Sequence, residues 1–145
     1  FMYDNEMALS FRAVSANESF ARISVAAFAV QLDPAVSEIT EIKTAVSEAV
    51  TNSIIHAYDD SDGFVHLWCG IKENKLYIKI SDDGKGIKDI HMAMEPLFTT
   101  KPEQERSGLG FTIMQSFMDE IDVKSEFGKG TLVSMSKTIS PQSGR

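Results

Sequence analysis

The chain has 145 residues, 43% of them hydrophobic, so one domain with a real core is expected. A net charge of -7 argues against nonspecific nucleic-acid binding, although backbone N–H groups and a metal ion can still hold an anion locally. A single cysteine, Cys69, excludes an internal disulfide framework and a cysteine-rich zinc site; no apolar run approaches a membrane span, which makes the cytoplasm the expected location.

The stretch ALSFRAV alternates Leu9, Phe11 and Ala13 inward and reads as a half-buried strand. Ser15 followed by Glu18 predicts a capping box at the start of a helix carrying Phe20, Ile23, Ala27 and Val30 on its core face. Pro34 stops that helix. A longer helix over 37–58 carries Ile39, Ile42, Val46, Ala49, Val50 and Ser53 on its apolar stripe. FVHLWCGI and KLYIKIS read as strands joined through KEN, with Cys69 a packed thiol. Residues 88–107, with Pro96 and Pro102, have little periodicity and read as a loop of the length expected for a lid. GLGFTIMQSFMDE returns to helix, with Phe111, Met114, Phe117 and Met118 at core spacing. IDVKSEF and TLVSMSKTI form a last hairpin around GKG. The pattern predicts an α+β sandwich with helices on one face of a mixed, mostly antiparallel sheet, a single domain over 8–139 and flexible termini at 1–7 and 140–145.

Three short motifs carry chemical interest. Glu48 and Asn52 lie one turn apart on one helical face, a carboxylate that can take a proton and an amide oxygen suited to Mg²⁺; a solvated helix face has the same spacing. Asp82, Gly84 and Gly86 follow a strand, where positive φ at the glycines lets the backbone approach a ligand, although Asp-Gly also marks ordinary turns. Gly108 and Gly110 precede a helix, a natural phosphate seat, although such junctions often carry glycine anyway.

The order of these motifs, closed by Gly130-Thr131 in a hairpin, resembles the GHKL ATPase superfamily of gyrase, Hsp90, histidine kinase and MutL types. NESFARISVAAFAVQLDP, EITEIKTAVSEAVTNSIIHAY, EPLFTTKPEQERSGLGFTIMQSFMDE and GKGT are further similar to the anti-sigma F family of spore-forming bacteria, which are protein serine kinases. This resemblance spans residues 7–139 and departs only slightly, at Ala57, where relatives often have glycine. It implies the two-layer GHKL (Bergerat) sandwich, ATP or ADP with Mg²⁺ as cofactors, and Glu48 as general base toward a serine hydroxyl. By the same resemblance Asn52 binds the metal, and Asp82 accepts from the adenine amino group with Thr131 in support. Gly84, Gly86 and Ile87 border the base. Gly108, Leu109 and Gly110 cradle the phosphates, and Thr99, Thr100, Lys101, Arg106 and Ser107 reach them from the lid. The implied partners are a sporulation sigma factor, which is inhibited, an anti-anti-sigma factor, which is phosphorylated, and a second copy of the chain, with no direct nucleic-acid or membrane contact. Arg22, on the first helix, is the candidate partner contact.

Three rival readings stay open. One is a stress-response anti-sigma kinase, and another is an ATP-binding sigma antagonist without phosphotransfer, against which the retained Glu48 speaks. The third is a sensor histidine kinase domain, whose lid EPLFTTK resembles; such an enzyme acts on a histidine in a separate helical segment, whereas His56 lies inside the ATP-site helix.

Overall fold

A computed structural model of the chain describes residues 2–57, 62–86, 94 and 110–142. Strand β1 (Asn5–Arg12) turns Leu9 and Phe11 toward the interior, as the alternation predicts, and begins within the segment expected to be a flexible terminus. Helix α1 (Ala16–Ala29) follows, then a single 3-10 turn, Val30–Leu32, which ends where Asp33 takes a left-handed conformation (φ 53) ahead of Pro34. Helix α2 (Val36–Asn52) passes directly into a π-helical turn, Ser53–Ala57, so the predicted helix changes winding in its last part.

Two sequence expectations for α1 are corrected. The capping box does not form: Ser15 makes no side-chain cap bond, and the Glu18 carboxylate instead accepts from Ser47 Oγ at 3.0 Å on α2. Ser15 has helical dihedrals (φ -55, ψ -33) rather than the extended ones a capping side chain needs, and Glu18 Oε2 is turned toward α2. The carboxylate half of a capping box appears at α2, where the Ala35 N–H donates to Glu38 at 2.8 Å. The buried stripe of α1 is also the other one: Ala21, Val25 and Ala29 are inside, while Phe20, Ile23 and Val30 are 54%, 59% and 61% exposed. Both stripes satisfy the helical period. Packing against α2 selects the one whose small side chains let the two helix axes approach closely.

Strands β2 (Phe64–Lys72) and β3 (Lys75–Asp82) form the expected hairpin, and helix α3 (Gly110–Phe117) leads to β4 (Glu120–Glu126) and β5 (Gly130–Thr138). Helix α3 is shorter than its apolar spacing predicts. It stops at Phe117 because Asp119 is already tied to β5, its N–H donating to Ser136 at 2.9 Å. The sheet order is β1-β2-β3-β5-β4, and every pair among the described strands is antiparallel, with no parallel pair to make the sheet mixed. One face of the sheet and the three helices enclose the core, built from residues such as Val25, Ile42, Val46, Leu67, Ile78 and Met114. Near the end of the described residues, the Gln142 N–H donates to the Asp33 carbonyl at 2.9 Å.

The topology joins distant residues at two places. Insertion of β5 between β3 and β4 sets Thr131 opposite Asp82, and packing of α3 on α2 brings Gly110 to Glu48 and Asn52.

Candidate functional site

Glu48 and Asn52 project from α2 one turn apart and are both partly buried, which a freely solvated stripe would not be. What covers them is the start of α3. A Cβ placed on Gly110 would meet Glu48 Oε2 at 3.2 Å and both the Nδ2 and Oδ1 of Asn52 at 3.4 Å. A carboxylate and an amide therefore converge on the N-terminus of an eight-residue helix, whose first-turn N–H groups carry partial positive charge. This corner offers hydrogen-bond donors, a base and a hard oxygen ligand within one small volume. Among the described residues no group of three or more His, Cys, Asp or Glu forms a metal cage. The donor set suits Mg²⁺ shared with phosphate oxygens and water, since that ion takes few protein oxygens and keeps several waters.

A second cluster surrounds Asp82 at the end of β3. The carboxylate is 6% exposed; its Oδ2 accepts from Ser53 Oγ at 2.8 Å and its Oδ1 from the Gly84 N–H at 3.0 Å. Burial pushes its pKa up; the Ser53 hydroxyl and the backbone N–H groups of Gly84 and Thr131 pull the other way, and the neighbouring Asp83 adds to the rise. Thr131 serves Asp82 through its backbone, while its hydroxyl pairs with Ser125 Oγ at 2.9 Å. Gly130 is required here. Its φ is 119, and a side chain would run into the Asp82 carbonyl.

The turn after Asp82 differs from expectation at Gly84, whose φ is not positive; Gly86 alone of the two takes the left-handed form, at φ 78. A Cβ on Gly86 would collide with the Glu126 carbonyl, so packing against the β4–β5 connection already demands glycine there. The Gly128 N–H donating to the Lys85 carbonyl at 2.5 Å holds the same contact.

Ser53 is the residue that motif reading missed. It immediately follows Asn52 where α2 turns π-helical, so one stretch of backbone serves both clusters: Asn52 faces Gly110 and Ser53 faces Asp82. The available signal was a hydroxyl on an otherwise apolar stripe. Arg22, expected to reach outward from α1, lies back along its own helix. Its Nη2 donates to Ser19 Oγ at 3.2 Å, and its Nε, buried and without a hydrogen bond, sits 3.6 Å from Glu18 Oε2. The expected contacts Ile87, Thr99, Thr100, Lys101, Arg106, Ser107, Gly108 and Leu109 fall outside the described residues.

The family model described as a histidine kinase-like ATPase domain matches residues 11–137. The chain is 59% identical to an anti-sigma F factor of Caldanaerobacter subterraneus subsp. tengcongensis, over 94% of this chain and 96% of that one. It is 56% identical to an anti-sigma F factor of Clostridium kluyveri, over 95% of this chain and 97% of that one. In fold it is similar to a crystal structure of the RsbU and RsbW domains of a Mycobacterium tuberculosis protein, with a TM-score of 0.67 at 15% identity, covering 94% of this chain and 32% of that one.

Proposed function

The chain belongs to the histidine kinase-like ATPase domain family and, within it, groups with anti-sigma F factors; on that premise we propose that it is a nucleotide-dependent sigma antagonist and a protein serine kinase. It binds and inhibits a sporulation sigma factor. With Mg-ATP it phosphorylates an anti-anti-sigma factor on serine. The observation that carries the catalytic part is the convergence of Glu48 and Asn52 on Gly110 at the head of α3.

The residues divide the work as their positions suggest. Asp82 accepts a hydrogen bond from the adenine amino group, a choice that disfavours guanine, and Ser53, Gly84 and Thr131 aim its carboxylate. The α3 N-terminus takes the phosphates through its backbone N–H groups. Asn52 holds Mg²⁺, and the metal when bound neutralises phosphate charge. Glu48 accepts the proton of the substrate serine, whose oxygen attacks the γ-phosphorus as ADP leaves. An acidic chain can hold ATP in this way because the positive charge at the site is local.

The partner surface lies on β1 and α1, where Phe20, Ile23 and, in the 3-10 turn that follows, Val30 leave an exposed apolar strip beside Arg22. The partners are the sigma factor, the anti-anti-sigma factor and a second copy of the chain.

The test is a paired one, phosphotransfer to serine and pull-down of the sigma partner, on two variants. Glu48→Gln keeps shape and loses basicity, so phosphotransfer falls by about 10²–10⁴ while sigma is still held. Asn52→Ala weakens Mg²⁺-dependent nucleotide affinity and with it sigma capture. Undiminished phosphotransfer by Glu48→Gln would overturn the role of this carboxylate as the base, and phosphotransfer absent from the unsubstituted chain would leave a sigma antagonist without kinase activity.

A further inference from the structure

Lys137 lies on β5, far from either cluster, yet its side chain is buried and reaches across to two other elements. Its Nζ donates to the Phe117 carbonyl at 2.7 Å and stands 3.4 Å from Glu41 Oε1 on α2. Phe117 is the last residue of α3, so this carbonyl is one of those left without a partner inside the helix. A cation there also suits the negative end of the helix dipole.

The other end of α3 is Gly110, against Glu48 and Asn52. Helices α2 and α3 are therefore antiparallel. Glu41 and Glu48 are separated along α2 by about two turns, as Phe117 and Gly110 are along α3, so both spans are roughly 10 Å. The head of α3 meets α2 directly at Glu48 and Asn52, its tail reaches α2 through Lys137 of β5, and the two helices match in length between those points. Phe111 and Met114 pack the middle of α3 into the core. Such apolar contact is non-directional and sets how close the helices lie more firmly than how far one slides along the other. A hydrogen bond to a helix-end carbonyl is directional and does fix the slide. A slip of even one residue rise, about 1.5 Å, would take Gly110 out of register with Glu48 and Asn52.

We propose that Lys137, bridging the Phe117 carbonyl to Glu41, is a positioning residue that sets the axial register of α3, and so the placement of its phosphate-binding end. The inference rests on the proposed nucleotide site. The chain just beyond α3 has further ties to β5, through the Asp119 N–H to Ser136 at 2.9 Å and the Thr138 N–H to Asp119 Oδ2 at 2.6 Å. These hold the connection, whereas Lys137 joins the helix's own last carbonyl to α2. The role predicts a loss confined to phosphate recognition, because the Asp82 cluster is built by β3, β5 and Ser53 without α3.

The experiment compares ADP and adenosine by calorimetric titration in the full chain, for Lys137→Met and Glu41→Ala, with urea midpoints recorded alongside. Lys137→Met keeps the apolar stem and removes both polar contacts. Its ADP affinity falls about 3- to 10-fold, while adenosine affinity stays within about twofold of the unsubstituted chain. Glu41→Ala removes only the α2 anchor at a partly exposed carboxylate, so it keeps the protein folded and shows the same split at smaller size. A lowered urea midpoint with an unchanged ADP-to-adenosine ratio in both variants would overturn the proposal and leave Lys137 a stabilising contact. An unsubstituted chain that binds ADP no better than adenosine would instead overturn the phosphate site itself.

Discussion

Replacing Gly110 by alanine sets folding against chemistry at one position. Gly110 opens α3 and its φ is not positive, so alanine fits the backbone there. In a helix interior alanine is favoured over glycine by up to about 1 kcal/mol, and less at a first turn. The cost falls on the neighbours: the new methyl would lie 3.2 Å from Glu48 Oε2 and 3.4 Å from Asn52 Oδ1 and Nδ2. Ordinary contact is 3.4–4 Å, so the carboxylate must retreat by about 0.2–0.8 Å. It sits at the end of a flexible side chain, which makes that retreat cheap for folding. A catalytic group displaced by about 1 Å costs roughly 10²-fold, so this displacement predicts a loss of about 3- to 40-fold in phosphotransfer. The net change in stability should stay within about 1 kcal/mol, a melting shift of no more than a few degrees for a chain of this size. Single-turnover transfer to serine at saturating Mg-ATP, run beside a thermal melt, measures both. An unimpaired rate would refute the placement of Glu48 at the reacting centre. A loss of stability above about 2 kcal/mol would show that the contact is packing rather than chemistry.

Ser53→Ala removes a donor from a buried carboxylate and should lower the urea-derived stability by about 1.5–3 kcal/mol; a neutral result would contradict the bond to Asp82. Because burial raises the Asp82 pKa, its contribution to stability is fully present below the ordinary value of 3.8 and is lost as pH rises through the raised folded value. Urea titrations over an acidic pH series should therefore show Asp82→Asn gaining on the unsubstituted chain as pH climbs through that window, and a constant difference would refute the burial argument. Cys69 is buried and its thiol is pushed up to about 12, so the native chain should resist thiol alkylation at about pH 8 until urea unfolds it; rapid native labelling would contradict the packing.

The two strand hairpins, the apolar stripe of α2 and the inward alternation of β1 were legible because each is a local period read along one element. The α1 face was not. Phe20, Ile23 and Val30 fit a helical stripe as well as Ala21, Val25 and Ala29 do, and the choice between them is made by α2. The Ser15–Glu18 cap was not legible either: Ser15 takes helical dihedrals, and Glu18 turns to Ser47 on another helix.

At the site, sequence alone determined which side chains share a helical turn, Glu48 with Asn52, and which turn residue ends a strand, Asp82, because those relations follow from backbone geometry within one element. Tertiary structure decided what each of them faces. Gly110 closes over the first pair only because α3 packs antiparallel on α2, and Asp82 is buried among donors only because β5 enters beside β3 and α2 ends with Ser53 turned toward it. Those contacts join residues separated by 29 positions or more, and no local period carries information across such a gap.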